Sequence, residues 1–318
     1  MTMNKLGHSD IDVSPICFGG NVFGWTLDES RSFDMLDAFV DAGFNFVDTA
    51  DMYSRWAPGN SGGESETIIG RWFARSGRRH QVVLATKVGM DMGEGRKGLR
   101  AQYIMQSVES SLARLQTDYI DLYQAHQDDA ATPQDETLGA FTRLIEQGKV
   151  RLVGASNFSP DRLSSALDIS ASQGLARYQT LQPQYNLVAR SDFESGIQAL
   201  CVREGISVIP YYSLASGFLS GKYRSRADAH KSARGPGIVE QRLNARGERI
   251  LRALDTLSAQ TGASLSTLSI AWLMSRPAVT APIVSATTRA QLAELTAAVD
   301  LSLSADAIQA LDEASAPD

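Results

Sequence analysis

The chain has 318 residues, 43% of them hydrophobic, and a formal net charge of -6. That is enough apolar material for a sizeable core, and the mixed charges argue against nucleic acid or an anionic membrane as the main partner. Two cysteines, Cys17 and Cys201, give no disulfide framework and read as buried small hydrophobes; no run reaches the roughly 20 apolar residues of a membrane helix, and MTMNKLGHSDIDVS lacks a signal-peptide core, so the expected location is the cytoplasm.

Eight short apolar, β-branched runs follow in chain order: 15–20, 44–50, 82–89, 119–126, 150–157, 179–186, 207–213 and 280–286. They are continuous rather than alternating, which predicts strands covered on both faces, as in a parallel sheet. Helical patterns lie between them. Ile104, Val108, Leu112 and Leu115 are spaced four, four and three apart, one face of an amphipathic helix, and ERILRALDTLSAQTG repeats the pattern with Gly262 as its expected C-cap. Strands alternating with helices over this length predict a (β/α)8 TIM barrel occupying residues 1–318 as a single domain. A doubly wound sheet is the second reading, and it lacks the G-x-G-x-x-G after the first strand. The sequence also shows no P-loop, G-x-S-x-G elbow or H-E-x-x-H. The polar stretch 224–246, rich in Arg and Lys, reads as a surface loop or a lid.

Barrel active sites lie at the C-terminal strand ends. The second run closes on Asp48 with Tyr53 five residues later, the third on Lys87, the fourth on His126. Each alone reads as a cap, an ion-pair partner or a core histidine. Three successive strands, however, should bring them to one rim. An ammonium beside a phenol favours phenolate, and a phenol's ordinary pKa near ~10 is otherwise too high for proton exchange at neutral pH. Asp48 can hold Lys87, and His126 can donate to a carbonyl oxygen. Such a set moves a proton to or from an alkoxide. It contains no activated nucleophile and no metal cluster, and it lacks a hydride donor.

The segments NFVDTADMY, ATKVG, YIDLYQAH, GKVRLVGASNF, QYNL and SGFLSGKY, in this order across about residues 4–310, resemble the aldo-keto reductase family. The resemblance implies a barrel opening with a short β-hairpin, here with its turn near His8–Asp10. It implies Asp48, Tyr53, Lys87 and His126 as catalytic residues, with Tyr53 as general acid/base, its pKa lowered by Lys87 and Asp48, and His126 orienting the substrate carbonyl. It implies a nicotinamide cofactor giving its 4-pro-R hydride. Ser156, Asn157 and Gln182 match carboxamide-binding positions. Tyr211 matches the aromatic that stacks on the nicotinamide, and a one-residue shift in PYYSLA gives that role to Tyr212. Gly20, Asn21, Val22 and Asp48 line the same side. Ser213, Leu214, Gly217, Leu219, Gly221 and Lys222 are the expected phosphate loop; Ser285, Thr287, Gln291 and Glu294 match contacts in the other, with Leu295 where the family usually has Asn. Lys222 and Arg289 are expected to read a 2′-phosphate, which favours NADP over NAD. Trp25, Tyr53, Trp56, His126 and Phe158 are the expected substrate pocket for a small carbonyl or alcohol, with no metal, nucleic acid or membrane; a homo-oligomer is compatible with this reading. Two alternatives remain: a cofactor-binding regulatory subunit, since the family includes potassium-channel β subunits, and aldol or isomerase chemistry through Lys87.

Overall fold

The structure, a computed structural model, describes residues 1–232 and 234–317. The chain begins with an antiparallel hairpin, β1 (Asn4–Lys5) and β2 (Asp12–Val13), whose turn includes Gly7 in the left-handed region. A Cβ on Gly7 would lie 2.5 Å from the Gln179 side chain, so glycine is needed both for φ and for this close approach. The eight apolar runs become β3 (Cys17–Gly19), β4 (Phe46–Asp48), β5 (Val83–Val88), β6 (Ile120–Ala125), β7 (Val150–Ser156), β8 (Tyr178–Gln182), β9 (Ser207–Val208) and β10 (Ile283–Val284). All pair in parallel, in the order β10-β3-β4-β5-β6-β7-β8-β9. The ring closes between its ends: Thr280 N donates to Val208 O at 2.8 Å and Ile283 N to Pro210 O at 2.9 Å. This is the (β/α)8 barrel read from the sequence.

Helices cover the outside. They are α1 (Glu29–Asp41), α2 (Glu64–Ser76), α3 (Ala101–Leu115), α4 (Gln134–Glu146), α5 (Pro160–Gln173), α6 (Ser191–Glu194), α7 (Ile197–Glu204), α8 (Gly235–Arg242), α9 (Ala245–Thr261), α10 (Leu265–Met274), α11 (Arg289–Thr296) and α12 (Ala305–Ala314). The apolar face of α3 is buried at Ile104, Val108, Leu112 and Leu115. Helix α9 ends at Gly262 in the left-handed region, its N–H donating to Ser258 O. The stretch 224–246 is more regular than its polar composition suggests. It holds a 3-10 turn, Arg226–Lys231, and then α8, because Ile238 and Val239 are buried and pull the segment onto the barrel.

Strand alternation decides what reaches the mouth. Inward-facing side chains pack as one apolar cluster: Cys17, Phe46, Val83, Ala85, Leu122, Ile209, Ala281 and Ile283, plugged from below by Leu6, Ile11 and Val13 of the hairpin. Two residues further along β4, β5 and β6 the same inward series gives Asp48, Lys87 and Gln124, and two beyond Gln124 comes His126. The barrel is therefore apolar below and polar at its C-terminal end.

Candidate active site

Lys87 is fully buried, and Asp48 nearly so. A buried ammonium is costly unless every proton is matched. Here all three are: Nζ donates to Asp48 Oδ2 at 2.6 Å, to Thr49 O at 2.7 Å and to Tyr53 Oη at 2.8 Å. Nζ also lies 4.5 Å from the Tyr53 ring centroid. Tyr53 Oη is 3.2 Å from Asp48 Oδ2. The other carboxylate oxygen, Oδ1, accepts from Gln182 Nε2 at 2.9 Å and Gln124 Nε2 at 3.3 Å. The carboxylate is thus fixed by three strands besides its own.

Parallel register sets this up. Asp48 sits opposite Ala85, so Lys87 lies one inward step above it, and Asp51 N donates to Lys87 O at 3.3 Å, which folds the following turn back over β5. Ser54 adopts the left-handed region and donates to Phe23 O at 2.5 Å, anchoring the far side of Tyr53. His126 is buried, with its ring centroid 6.0 Å from that of Tyr53 and its Nδ1 without a hydrogen-bond partner.

The electrostatics reverse one expectation. Burial first, and then the Asp48 carboxylate, push the Tyr53 phenol well above its usual range. The carboxylate repels a phenolate, and desolvation disfavours it further, so Tyr53 is held as a protonated phenol rather than drawn toward ionisation. Burial pulls the Lys87 ammonium down, against Asp48, which raises it. Burial and then Lys87 keep the His126 imidazole well below its ordinary value, hence neutral at neutral pH. A neutral imidazole has one N–H to donate, and a phenol held by an ammonium on its oxygen has one proton to give.

Around this centre the other sequence-derived positions divide. Asn157, in the left-handed region, donates to His126 O at 3.0 Å and accepts from Tyr211 Oη at 2.8 Å. Ser156 Oγ donates to Gln182 O at 2.8 Å. Tyr211 is half-buried and packs on the inner cluster, whereas Tyr212 is 50% exposed with a positive φ. Ser213 Oγ donates to Ile283 O, and Leu219 is buried beside half-buried Leu214. Ser285 Oγ bonds Gly19 O at 2.8 Å and Asn21 Oδ1 at 2.7 Å, joining the first and last strand ends near Gly20 and buried Val22.

Thr287 N and Oγ1 both donate to Gln291 Oε1, and Thr288 caps α11. Glu294 is occupied by the Ser264 hydroxyl, and Leu295 is buried. Lys222 lies near Gly217, where a Cβ would meet its Nζ at 3.1 Å, and it pairs with no carboxylate among the described residues. Arg289, by contrast, is forked onto Asp34.

Phe158 is a correction. It is buried, edge-on to Tyr178 at 5.6 Å, in the layer between strands and helices, so it packs the core and does not line the mouth. Trp25 and Trp56 do continue outward from Tyr53: Tyr53–Trp56 centroids are 5.9 Å apart and Trp56–Trp25 5.6 Å. Gln124 and Thr49 were not singled out from the sequence. An amide inside an apolar strand carries no titratable flag, though counting two residues on from Leu122 finds it.

A parallel eight-stranded barrel thus gathers a phenol, an ammonium, a carboxylate and an imidazole at its C-terminal mouth. The chain matches the profile described as "Aldo/keto reductase family" over residues 15–316 and belongs to that family. It is 35% identical over 321 residues to "Uncharacterized oxidoreductase YrpG" of Bacillus subtilis, covering 98% of this chain and 95% of that one. It is 32% identical to "Probable voltage-gated potassium channel subunit beta" of Oryza sativa, covering 95% and 92%. It is 30% identical to "Versiconal hemiacetal acetate reductase" of Aspergillus parasiticus, covering 100% and 98%. The chain is an oxidoreductase of a family acting on small carbonyl compounds. Among the described residues no helix is long and apolar enough to cross a membrane.

Proposed function

We propose that this protein is an NADP(H)-dependent carbonyl reductase or alcohol dehydrogenase in which Tyr53 gives or takes the proton. The observation that carries this is the mutual contact of Tyr53 Oη, Lys87 Nζ and Asp48 Oδ2, all within 3.2 Å, at the ends of adjacent strands. Lys87 donates to the phenol oxygen, so the phenol's own proton is free to point at Asp48 or at a substrate oxygen. In the reductive direction an oxygen gaining negative charge receives that proton, and Lys87 stabilises the phenolate left behind. His126, neutral and buried beside Tyr53, donates to the same substrate oxygen. Asp48, fixed by Gln124 and Gln182, keeps Lys87 charged and in place. A Schiff base on Lys87 is disfavoured, because all three protons are already directed at acceptors.

A nicotinamide dinucleotide supplies the hydride when bound. The residues present fit it. Tyr211 offers a ring face at the mouth, flanked by Ser156, Asn157 and Gln182. Ala215, Ser216 and Gly217 are consecutive left-handed residues, a tight backbone turn of the kind that admits a phosphate group closely, and beside it stands the Lys222 ammonium, which pairs with no carboxylate among the described residues. Gly20, Asn21 and Val22 line the other wall, and Ser285, Thr287 and Gln291 the far end. Lys222 is the better-placed cation for a 2′-phosphate, since Arg289 must first leave Asp34.

The test is a panel of aldehydes and ketones with NADPH and with NADH, and of alcohols with the oxidised forms. Turnover with NADPH at several-fold lower KM than with NADH is expected. Turnover with NADH alone would overturn the coenzyme assignment. A second reading, a coenzyme-binding regulatory subunit, is favoured by the likeness to the plant protein named as a channel β subunit. Tight NADPH binding with no hydride transfer to any carbonyl would establish it instead.

A further inference from the structure

The wall of rings that starts at Tyr53 does not end in solvent. Trp56, 45% exposed, stands edge-to-face on Tyr53 with an interplanar angle of 62°, and Trp25 on Trp56 with 86°. The guanidinium of Arg234 then lies 5.2 Å from the Trp25 ring centroid. Arg234 is exposed, and among the described residues its guanidinium contacts this ring and pairs with no carboxylate.

Its position is fixed by the fold. Arg234 is the N-cap residue of α8, and Gly235 N donates to Ser232 O at 2.9 Å. The next helical residues, Ile238 and Val239, are buried. A Cβ on Gly235 would lie 1.9 Å from Ala229 O, so the two halves of the segment are pressed together just where Arg234 projects. Tyr223 Oη and Ser232 Oγ are 2.7 Å apart and tie the same turn to the barrel.

A guanidinium set over an indole by a cation–π contact spends none of its N–H donors on it. A guanidinium fork can take a carboxylate with two parallel hydrogen bonds. The aromatic wall suits a flat apolar body. Resting on the reductase reading above, we infer that the substrate is an aromatic carbonyl compound bearing a carboxylate, its carbonyl at Tyr53 and His126, its ring along Trp56 and Trp25, and its carboxylate on Arg234. Because the chain as a whole is negative, a distant field does not draw such an anion in, and recognition is local. The steps of 5.9, 5.6 and 5.2 Å from Tyr53 through Trp56 and Trp25 to the guanidinium bound the separation from above, and the benzene and biphenyl frames test two lengths within that bound.

The experiment compares para-carboxybenzaldehyde and its biphenyl homologue with their methyl esters, in wild type and Arg234→Gln, with NADPH. For at least one frame the acid is expected to exceed its ester in kcat/KM by about tenfold or more, and Arg234→Gln to abolish that preference through the acid, the size of one charge-assisted contact. An acid-to-ester ratio unchanged by Arg234→Gln overturns the inference and leaves Arg234 as a tether for α8. Ester turnover reports on the reductase reading separately. If neither acid nor ester turns over, that reading fails for these substrates, and quenching of tryptophan fluorescence by para-(hydroxymethyl)benzoate decides the anion site. Quenching in wild type that Arg234→Gln loses supports it; equal or absent quenching in both overturns it.

Discussion

Asp51 lies two residues before Tyr53 and is buried, its Oδ1 without a hydrogen-bond partner. Glu66 is fully buried nearby, held by Arg114 at 2.7 Å and Thr86 at 2.6 Å. Burial, and then the Glu66 charge, push the Asp51 carboxyl up to about 8. The folded state thus binds a proton that the unfolded state, with its ordinary value of 3.8, has released. Stability linked to Asp51 is fully present below that unfolded value and is lost as pH rises through about 8. Asp51→Asn is expected to flatten the loss and to be more stable than wild type at pH 8 by about 1–3 kcal/mol, measured by urea unfolding across pH. A wild-type profile that does not fall over this range contradicts the assignment. Asp48, Tyr53, Lys87 and His126 were legible in the sequence because each is a polar residue closing or just following an apolar run. The environment of Tyr53 was not, since the repulsion from Asp48 depends on which oxygen faces the phenol.

At the scale of single elements, β7 shows how tightly the polar layer is fitted. A Cβ on Gly154 would sit 2.1 Å from Thr180 Oγ1 and 3.2 Å from Gln124 Cγ. Gly154→Ala therefore forces β8 or the Gln124 side chain aside. It is expected to cost about 1–3 kcal/mol, read from the denaturant midpoint, and to lower turnover as Asp48 loses its Gln124 bond. An unchanged midpoint means that the strands yield without strain. The eight strands were visible in the sequence because parallel strands buried on both faces are continuous apolar runs. Their bounds shrink in the structure to the residues that pair, down to two each in β9 and β10. Helix α8 was hidden, since only Ile238 and Val239 interrupt its polar sequence. Phe158 was misassigned for the same kind of reason: an aromatic after a strand end faces either the mouth or the helices, and only the backbone path through Asn157 decides.

Across the whole molecule, the first and last strand ends meet at Ser285, and the Lys222 loop and α11 carry the cations expected for the coenzyme. Lys222→Ala is expected to weaken NADPH about tenfold to a hundredfold while changing NADH several-fold at most, measured by coenzyme fluorescence titration, because only the first carries the extra phosphate. Equal loss for both would move the 2′-phosphate elsewhere. Asp34→Ala, which frees the Arg289 fork, is expected to tighten NADPH selectively; no change would show that Arg289 has no part in the site.

The central claim is that Tyr53 supplies the proton that accompanies hydride transfer. Mixing enzyme-bound NADPH with an aldehyde in a stopped-flow instrument, and following loss of coenzyme fluorescence in a single turnover, tests it most directly. Wild type is expected to oxidise its NADPH, and Tyr53→Phe to bind NADPH equally well but react about a hundredfold to ten-thousandfold more slowly. A Tyr53→Phe rate equal to wild type would contradict the account.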